Sequence, residues 1–457
     1  MRPRRRFGRL WVALAAVLCA VSVQAEEISL TLPEARSAAA RLLAAGRPQE
    51  ALALSEGVLQ GAPDDVPALV MKSRALRDLG RTDAALETAR QVWRVADSDE
   101  DRFYAALVTA QAQASGGRRG IAQFWLRRAA QIAPDDGLKA LAIRDFRHVR
   151  STTPWRLALA FYAEHSDNLN DAPETNTVPY GRYLTVTRTN AVPLSGLRYG
   201  VRGKFTYTIP ISAQARTHLG VFAGLGRVQL SDESRQFAWA DPEDYRTETL
   251  GGDLRLETRS AAGDRIASAG LLAYRQWQGG QALADVVRLD LGLQQRLATG
   301  LIGSAGASFE TVRRKDNALG DSDTVQLSLG LERRLPHGTL GLSLTTSDTD
   351  SAIGSIARQT DGIGLRYAFA RPLPGGLLPA LTLDWRSIDY DAPPPIYATG
   401  ARQSDREWQL GLDVTLTEAE YFGFAPTLGV SFTDRQSNYS LYESRSTDLR
   451  LGLKSVF

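Results

Sequence analysis

The sequence predicts an all-α repeat solenoid followed by an all-β transmembrane barrel of about 14 antiparallel strands. Three observations lead there. Apolar residues recur at three- and four-residue spacing from Leu32 to Ser151, then at every second residue from Trp155 to Phe457. The helical part repeats Gly, Ala and Pro at a fixed spacing. The strand part sets a charged, Gly-rich face against an apolar one, with short and long connections alternating. Composition narrows the field further. With 43% hydrophobic residues the chain can bury cores, so disorder is excluded. No 18-residue apolar run follows residue 25, which excludes a helical membrane protein. One Cys excludes a disulfide framework and a multi-thiolate metal site.

Residues 1–25 form the first element. Arg2, Arg4, Arg5, Arg6 and Arg9 precede an apolar stretch from Leu10 to Val21, and Val23-Gln24-Ala25 ends it with a small-x-small pattern. This is the pattern of a signal peptide cleaved after Ala25. Cleavage removes five Arg and Cys19, turning a net charge of +3 into −2 and leaving no cysteine. The basic balance therefore points to no nucleic-acid partner.

Residues 26–151 are the expected helical domain, with pairs near 32–65, 66–99 and 103–136 and a capping helix at 138–150. Gly46, Ala51 and Pro63 define the repeat spacing. Gly80 and Ala85 follow 34 residues later, with Asp97 in the proline slot, and Gly117, Ala122 and Pro134 repeat the pattern. Gly ends the first helix where the chain must turn, a small Ala admits the second helix closely, and Pro or Asp stops it. The spacing resembles the tetratricopeptide repeat. A short solenoid of this kind has a concave face suited to extended or partly folded chains.

Residues 152–457 are the expected barrel. In 285–295, Val287, Leu289, Leu291 and Leu293 share one face, and Arg288, Asp290, Gly292 and Gln294 the other. The same alternation defines fourteen segments, near 155–164, 197–208, 214–229, 247–259, 265–277, 285–297, 302–314, 323–335, 339–348, 358–371, 378–390, 404–417, 424–435 and 444–457. Long loops are expected near 165–196, 230–246, 278–284, 315–322, 349–357, 391–403 and 436–443. Aromatics collect near segment ends as two interfacial girdles: Phe161, Tyr162, Tyr274, Trp277, Trp385 and Tyr390 at one, Trp155, Phe369, Tyr421 and Phe457 at the other. An even strand count places both barrel ends on the periplasmic side of a Gram-negative outer membrane, with the helical domain in the periplasm. The mean hydropathy of −0.22 suits a barrel with one wet face.

Catalytic chemistry is not expected. His148, His165, His218 and His337 form no pair at metal-ligand spacing. His165-Ser166 invites comparison with an outer-rim hydrolase, but adjacent residues are not a nucleophile–base arrangement. Gly251-Gly252 is not a phosphate loop, because no helix follows it. Asp253, Arg255, Arg288, Asp290, Asp384, Arg386 and Asp413 are the lumen-facing candidates. They carry both signs, which hydrates a pore without selecting strongly by charge.

Two stretches add a family resemblance. Ser166-Asp167-Asn168-Leu169-Asn170-Asp171-Ala172-Pro173, and the ending from Ser437-Asn438-Tyr439-Ser440-Leu441-Tyr442-Glu443 through Arg450 to Phe457, resemble the opening and close of the surface lipoprotein assembly modulator (Slam) barrel. Ser166, Asn168, Asn170 and Pro173 mark the first-loop motif. The resemblance implies a translocator that delivers surface lipoproteins, or a secreted soluble protein, across the outer membrane, with the periplasmic repeats binding the client. It also implies that the terminal Phe457 strand is read by the barrel assembly machinery. The expected partners are thus the client, that machinery, periplasmic chaperones and outer-membrane lipid, for a monomer without cofactors. The rival reading is a passive outer-membrane pore or a polysaccharide exporter, which also joins helical repeats to a barrel.

Overall fold

The computed structural model describes residues 30–175, 177–180, 184–187, 192–396 and 400–456. The expected signal peptide and the terminal Phe457 lie outside the described residues. The chain divides into two compact units, up to Pro134 and from Asp135 to Phe457.

The first unit is six helices in three pairs: α1 (Leu32–Ala44) with α2 (Pro48–Gly61), α3 (Val66–Asp78) with α4 (Thr82–Val95), and α5 (Asp99–Ser115) with α6 (Arg119–Ile132). Local signals set their ends. The Thr31 amide donates to Glu34 at 2.9 Å where α1 begins. Ser98 caps α5 by accepting from the Asp101 amide at 3.0 Å, which starts this helix at residue 99, ahead of the expected 103. Asp65 caps α3 through the Ala68 amide at 2.8 Å and also holds Arg36 of α1. The core is built from small and branched residues. Ala51, Leu52, Ala75, Leu76, Ala85, Leu86 and Ala112 form one cluster; Leu69, Val70, Ala89, Val92, Ala105 and Val108 form another. The frequent Ala lets neighbouring helix axes approach closely.

The second unit opens with α7 (Asp136–Thr152), which the expectation from sequence assigned to the repeats. Asp135 caps it through the Leu138 amide at 2.8 Å, and Lys139 pairs with Glu420 of a barrel turn at 2.8 Å. Pro154 ends helical conformation just before the first strand.

Fourteen strands close the barrel: β1 (Trp155–Ser166), then, after a small hairpin of β2 (Thr177–Tyr180) and β3 (Leu184–Thr187), β4 (Gly196–Pro210), β5 (Ala215–Leu230), β6 (Thr247–Arg259), β7 (Arg265–Gln278), β8 (Gln281–Ala298), β9 (Leu301–Arg314), β10 (Ser322–Leu335), β11 (Gly338–Ser351), β12 (Arg358–Phe369), β13 (Leu377–Tyr390), β14 (Ser404–Leu416), β15 (Phe424–Ser437) and β16 (Ser444–Ser455). Each barrel strand pairs antiparallel with its chain neighbours, and β1 closes on β16. Register turns the alternating sequence into a belt. Leu331, Leu342, Leu365, Leu383, Leu410 and Phe432 lie side by side across six strands, β10 to β15, all turned outward. Such a continuous apolar surface suits lipid, and closure leaves no open sheet edge where the ladders are complete.

Two details differ from the sequence reading. The expected long loop at 278–284 is a tight turn of Gly279 and Gly280, at φ +56° and +79°, and β8 extends to meet it. Strand parity also turns Tyr162, Tyr274 and Tyr390 inward, away from the expected aromatic girdle. Their neighbours Phe161 and Trp385 face out.

Candidate functional site

In the helical unit the three repeat glycines occupy equivalent backbone positions. Gly46, Gly80 and Gly117 have φ of +71°, +77° and +78°. Behind each, the next amide reaches back into the preceding helix: Arg47 to Leu42, Arg81 to Leu76 and Arg118 to Gln113, at 2.8–2.9 Å. This is a Schellman-type end, which requires the left-handed conformation glycine adopts freely. Ala51, Ala85 and Ala122 are fully buried, where any larger side chain would separate the pair. Pro63 and Pro134 follow the ends of α2 and α6.

The lumen is polar and internally paired. Asp253 holds Lys204 at 2.7 Å, Arg288 holds Asp290 at 2.7 Å, Arg386 meets Glu407 at 3.5 Å, and Arg450 meets Asp413 at 3.6 Å. Arg255 donates to Ser268 at 3.2 Å. Asp384 projects on the same face, at the position opposite Gly364. Lys204, Arg216, His218, Asp253, Arg255 and Glu257 line one recess of about 510 Å³. Both signs alternate along its wall, so no single-sign ring forms. Aromatic residues also face the lumen: Tyr162 and Tyr274, expected at the girdle, and Phe222, which the sequence reading did not single out. Arg202 lies 4.8 Å above the Tyr162 ring, and Phe222 packs 6.2 Å from Tyr274. A Cβ on Gly251 would lie 2.4 Å from the Tyr274 Cβ, so glycine is required beneath that pair.

At the long-loop end the first loop crosses the strand closure. Ser166 is buried and accepts from the Asn168 amide at 3.2 Å, a turn contact. The Asn168 side chain accepts from the Ala172 amide at 2.8 Å and donates to the carbonyls of Ala172 at 2.8 Å and Arg445 at 3.1 Å. Asn170 clasps the returning loop by donating to the Val192 carbonyl and accepting from the Leu194 amide. Leu169 anchors the segment in a cluster with Leu194, Val228 and Leu230. Pro173 follows this turn. Asp171, at φ +49°, reaches inward to Arg435 at 3.0 Å, and Arg435 also holds Glu407 at 2.8 Å. The start of the loop is therefore tied to β16 and to the lumen wall. Among the described residues, no group of three or more His, Cys, Asp or Glu is placed to hold a metal.

Residues 304–457 match the family model of the surface lipoprotein assembly modifier. The match falls on the C-terminal half of the barrel, about a third of the chain. The match contains the closing stretch from Ser437 and leaves the first-loop motif outside it. A tetratricopeptide repeat model matches residues 42–110, which spans the first two Gly–Ala pairs. A closed barrel of fourteen strands with an outward apolar belt, matched in its C-terminal half by that model, is an outer-membrane barrel. No curated protein matches the chain. Among solved structures, OccAB3 of Acinetobacter baumannii is 11% identical with a TM-score of 0.38, covering 65% of this chain and 98% of its own. OmpT of Vibrio cholerae, as a loop-deletion mutant, is 9% identical with a TM-score of 0.35, covering 66% and 99%. An anion-selective porin from Comamonas acidovorans is 11% identical with a TM-score of 0.34, covering 65% and 98%.

Proposed function

We propose that the protein is an outer-membrane translocator. It delivers a surface lipoprotein, or a secreted soluble protein, from the periplasm to the cell surface. The family match over the C-terminal half of the barrel carries this reading. In it, the mature chain begins after Ala25, residues 26–151 are periplasmic and capture a partly unfolded client, and residues 152–457 conduct it outward. Periplasmic chaperones supply the client, and the barrel assembly machinery inserts the barrel by reading the Phe457 strand. The mixed charge of the lining supports passage of a polypeptide of either sign more than selection of one small ion. Protease shaving of intact cells tests the proposal. A co-encoded lipoprotein becomes protease-sensitive at the surface only when this protein is present. Equal shaving without it removes the reading and favours a passive pore or a polysaccharide exporter.

A further inference from the structure

We propose that the periplasmic half of the β1–β16 seam is an open strand edge that accepts an extended polypeptide segment by strand addition. The inference rests on the translocator reading for its biological meaning, though not for its geometry. β1 pairs with β4 along all twelve of its residues, from Trp155 to Ser166. With β16 it pairs over only five, from Tyr162 opposite Gly452 to Ser166 opposite Asp448. Below Tyr162 the two strands part, although both continue. Leu453, Lys454 and Ser455 stay in register with Pro426, Ala425 and Phe424 of β15, and the Val456 amide donates to the Gly423 carbonyl at 2.9 Å. The end of β16 is thus held toward the β14–β15 turn, away from β1.

Hydrogen-bond parity identifies what the parting exposes. The Asp167 amide donates to Thr447 of β16, while the Thr208 amide donates to Pro154 from the β4 side. In an antiparallel strand successive residues point their backbone groups to alternate sides. Odd residues of β1 therefore address β16 and even residues address β4. Leu157 and Leu159 direct their N–H and C=O groups into the gap, and among the described residues no backbone bond is made there. Their side chains are 57% and 56% exposed on the lipid face. Lipid tails carry no donors or acceptors, so these groups call for a partner with its own backbone. Inward of them lie Arg156, Ala158 and Ala160, a narrow and partly polar wall. The matching occupant is an extended polypeptide that alternates apolar and polar residues, bound through its main chain with little regard to sequence. The outer end, by contrast, is tied by the five ladder pairs and by the Asn168 and Asp167 bonds to β16. Such a seam admits a strand from the periplasmic side.

The test uses the full chain, with Cys19→Ser, in lipid nanodiscs, and a benzophenone attached at Leu159→Cys. The probe is a biotinylated ten-residue peptide of alternating Val and Thr. Its control carries N-methyl groups on alternate residues, which removes one hydrogen-bonding edge. Cross-linking of the unmodified peptide at residue 159 is expected to exceed that of the methylated peptide by about tenfold. It should exceed labelling at Leu329→Cys, within complete ladders, by a similar factor. A second variant, Ala160→Cys with Lys454→Cys, places thiols where a continued ladder would oppose them. Oxidation should abolish cross-linking and reduction restore it. Equal labelling by both peptides, equal labelling at both positions, or labelling that survives the lock overturns the strand edge. Cell-surface shaving is scored separately. A chain that supports display yet fails to cross-link refutes the edge and leaves the translocator standing. A chain that cross-links without supporting display supports the edge and refutes the translocator.

Discussion

Gly80 stands at φ +77° between α3 and α4, and a Cβ there would meet no atom within 4 Å. Its requirement is thus conformational rather than steric. An L-residue in that region costs about 1–2 kcal/mol. Gly80→Ala is expected to destabilise the helical unit by about that much, read as a lower midpoint in the helical circular-dichroism melt. Gly57 makes the contrast, because it lies inside α2 with equally open space and no positive φ. Gly57→Ala should stabilise by about 0.5–1 kcal/mol. A charged residue behaves just as locally. Asp316, in the loop after β9, accepts from Arg314 at 2.8 and 2.5 Å, and those bonds hold its carboxyl down to about 2. Because the folded value lies below the unfolded one, the contribution is complete above about pH 4 and is lost as pH falls through about 2. The carboxyl resonance of Asp316 should therefore remain that of the anion at pH 3 in a carbon-detected titration, and Arg314→Ala should return it to the ordinary range.

Among the elements, the first loop is the one whose polar side chains do structural work across the seam. Asn168 is buried and satisfies three backbone groups, one of them on β16. Asn168→Ala leaves those groups without a partner, at a cost of about 1–3 kcal/mol for each that water cannot reach. The barrel of this variant should lose its folded electrophoretic mobility at a lower temperature than the parent, whereas Asn317→Ala, in the exposed loop between β9 and β10, should not. How far such elements can be read in advance depends on their physics. All fourteen barrel strands follow from the period-two alternation, since a wet lumen and an apolar exterior force it residue by residue. The Gly–Ala repeat announced the helix pairs for the same reason, a backbone need at fixed spacing. Turn chemistry at Gly279-Gly280 is also present in the sequence, as two residues suited to positive φ, yet the expected alternation of short and long connections put a long loop there. The inward tyrosines escaped because aromatic residues suit both an interface and a lumen, and only parity separates the two. The reach of Asp171 to Arg435 joins residues 264 positions apart, the seam sets Tyr162 against Gly452 from still farther, and no local pattern encodes either.

For the whole molecule, the question is what a helical repeat unit adds to a barrel that already spans the membrane. The repeat unit ends at Pro134 and the barrel unit begins at Asp135, so any client that the repeats bound would be tethered to the barrel by the chain itself. Tethering makes the second encounter intramolecular, at an effective concentration in the millimolar range for short linkers, and raises overall capture by about 10²–10⁴. Deleting residues 30–134 keeps α7, its Lys139–Glu420 ion pair and the complete barrel. If the repeats act by capture, surface display should fall by about two orders of magnitude in the shaving assay, while the barrel keeps its heat-modifiable mobility. Raising client expression should then recover part of the loss, because bulk concentration substitutes for effective concentration. A repeat unit needed to open the barrel would behave differently, since no amount of client restores a missing trigger. Full display after the deletion would remove the capture role altogether, and display that stays absent at high client expression would assign the repeats to gating.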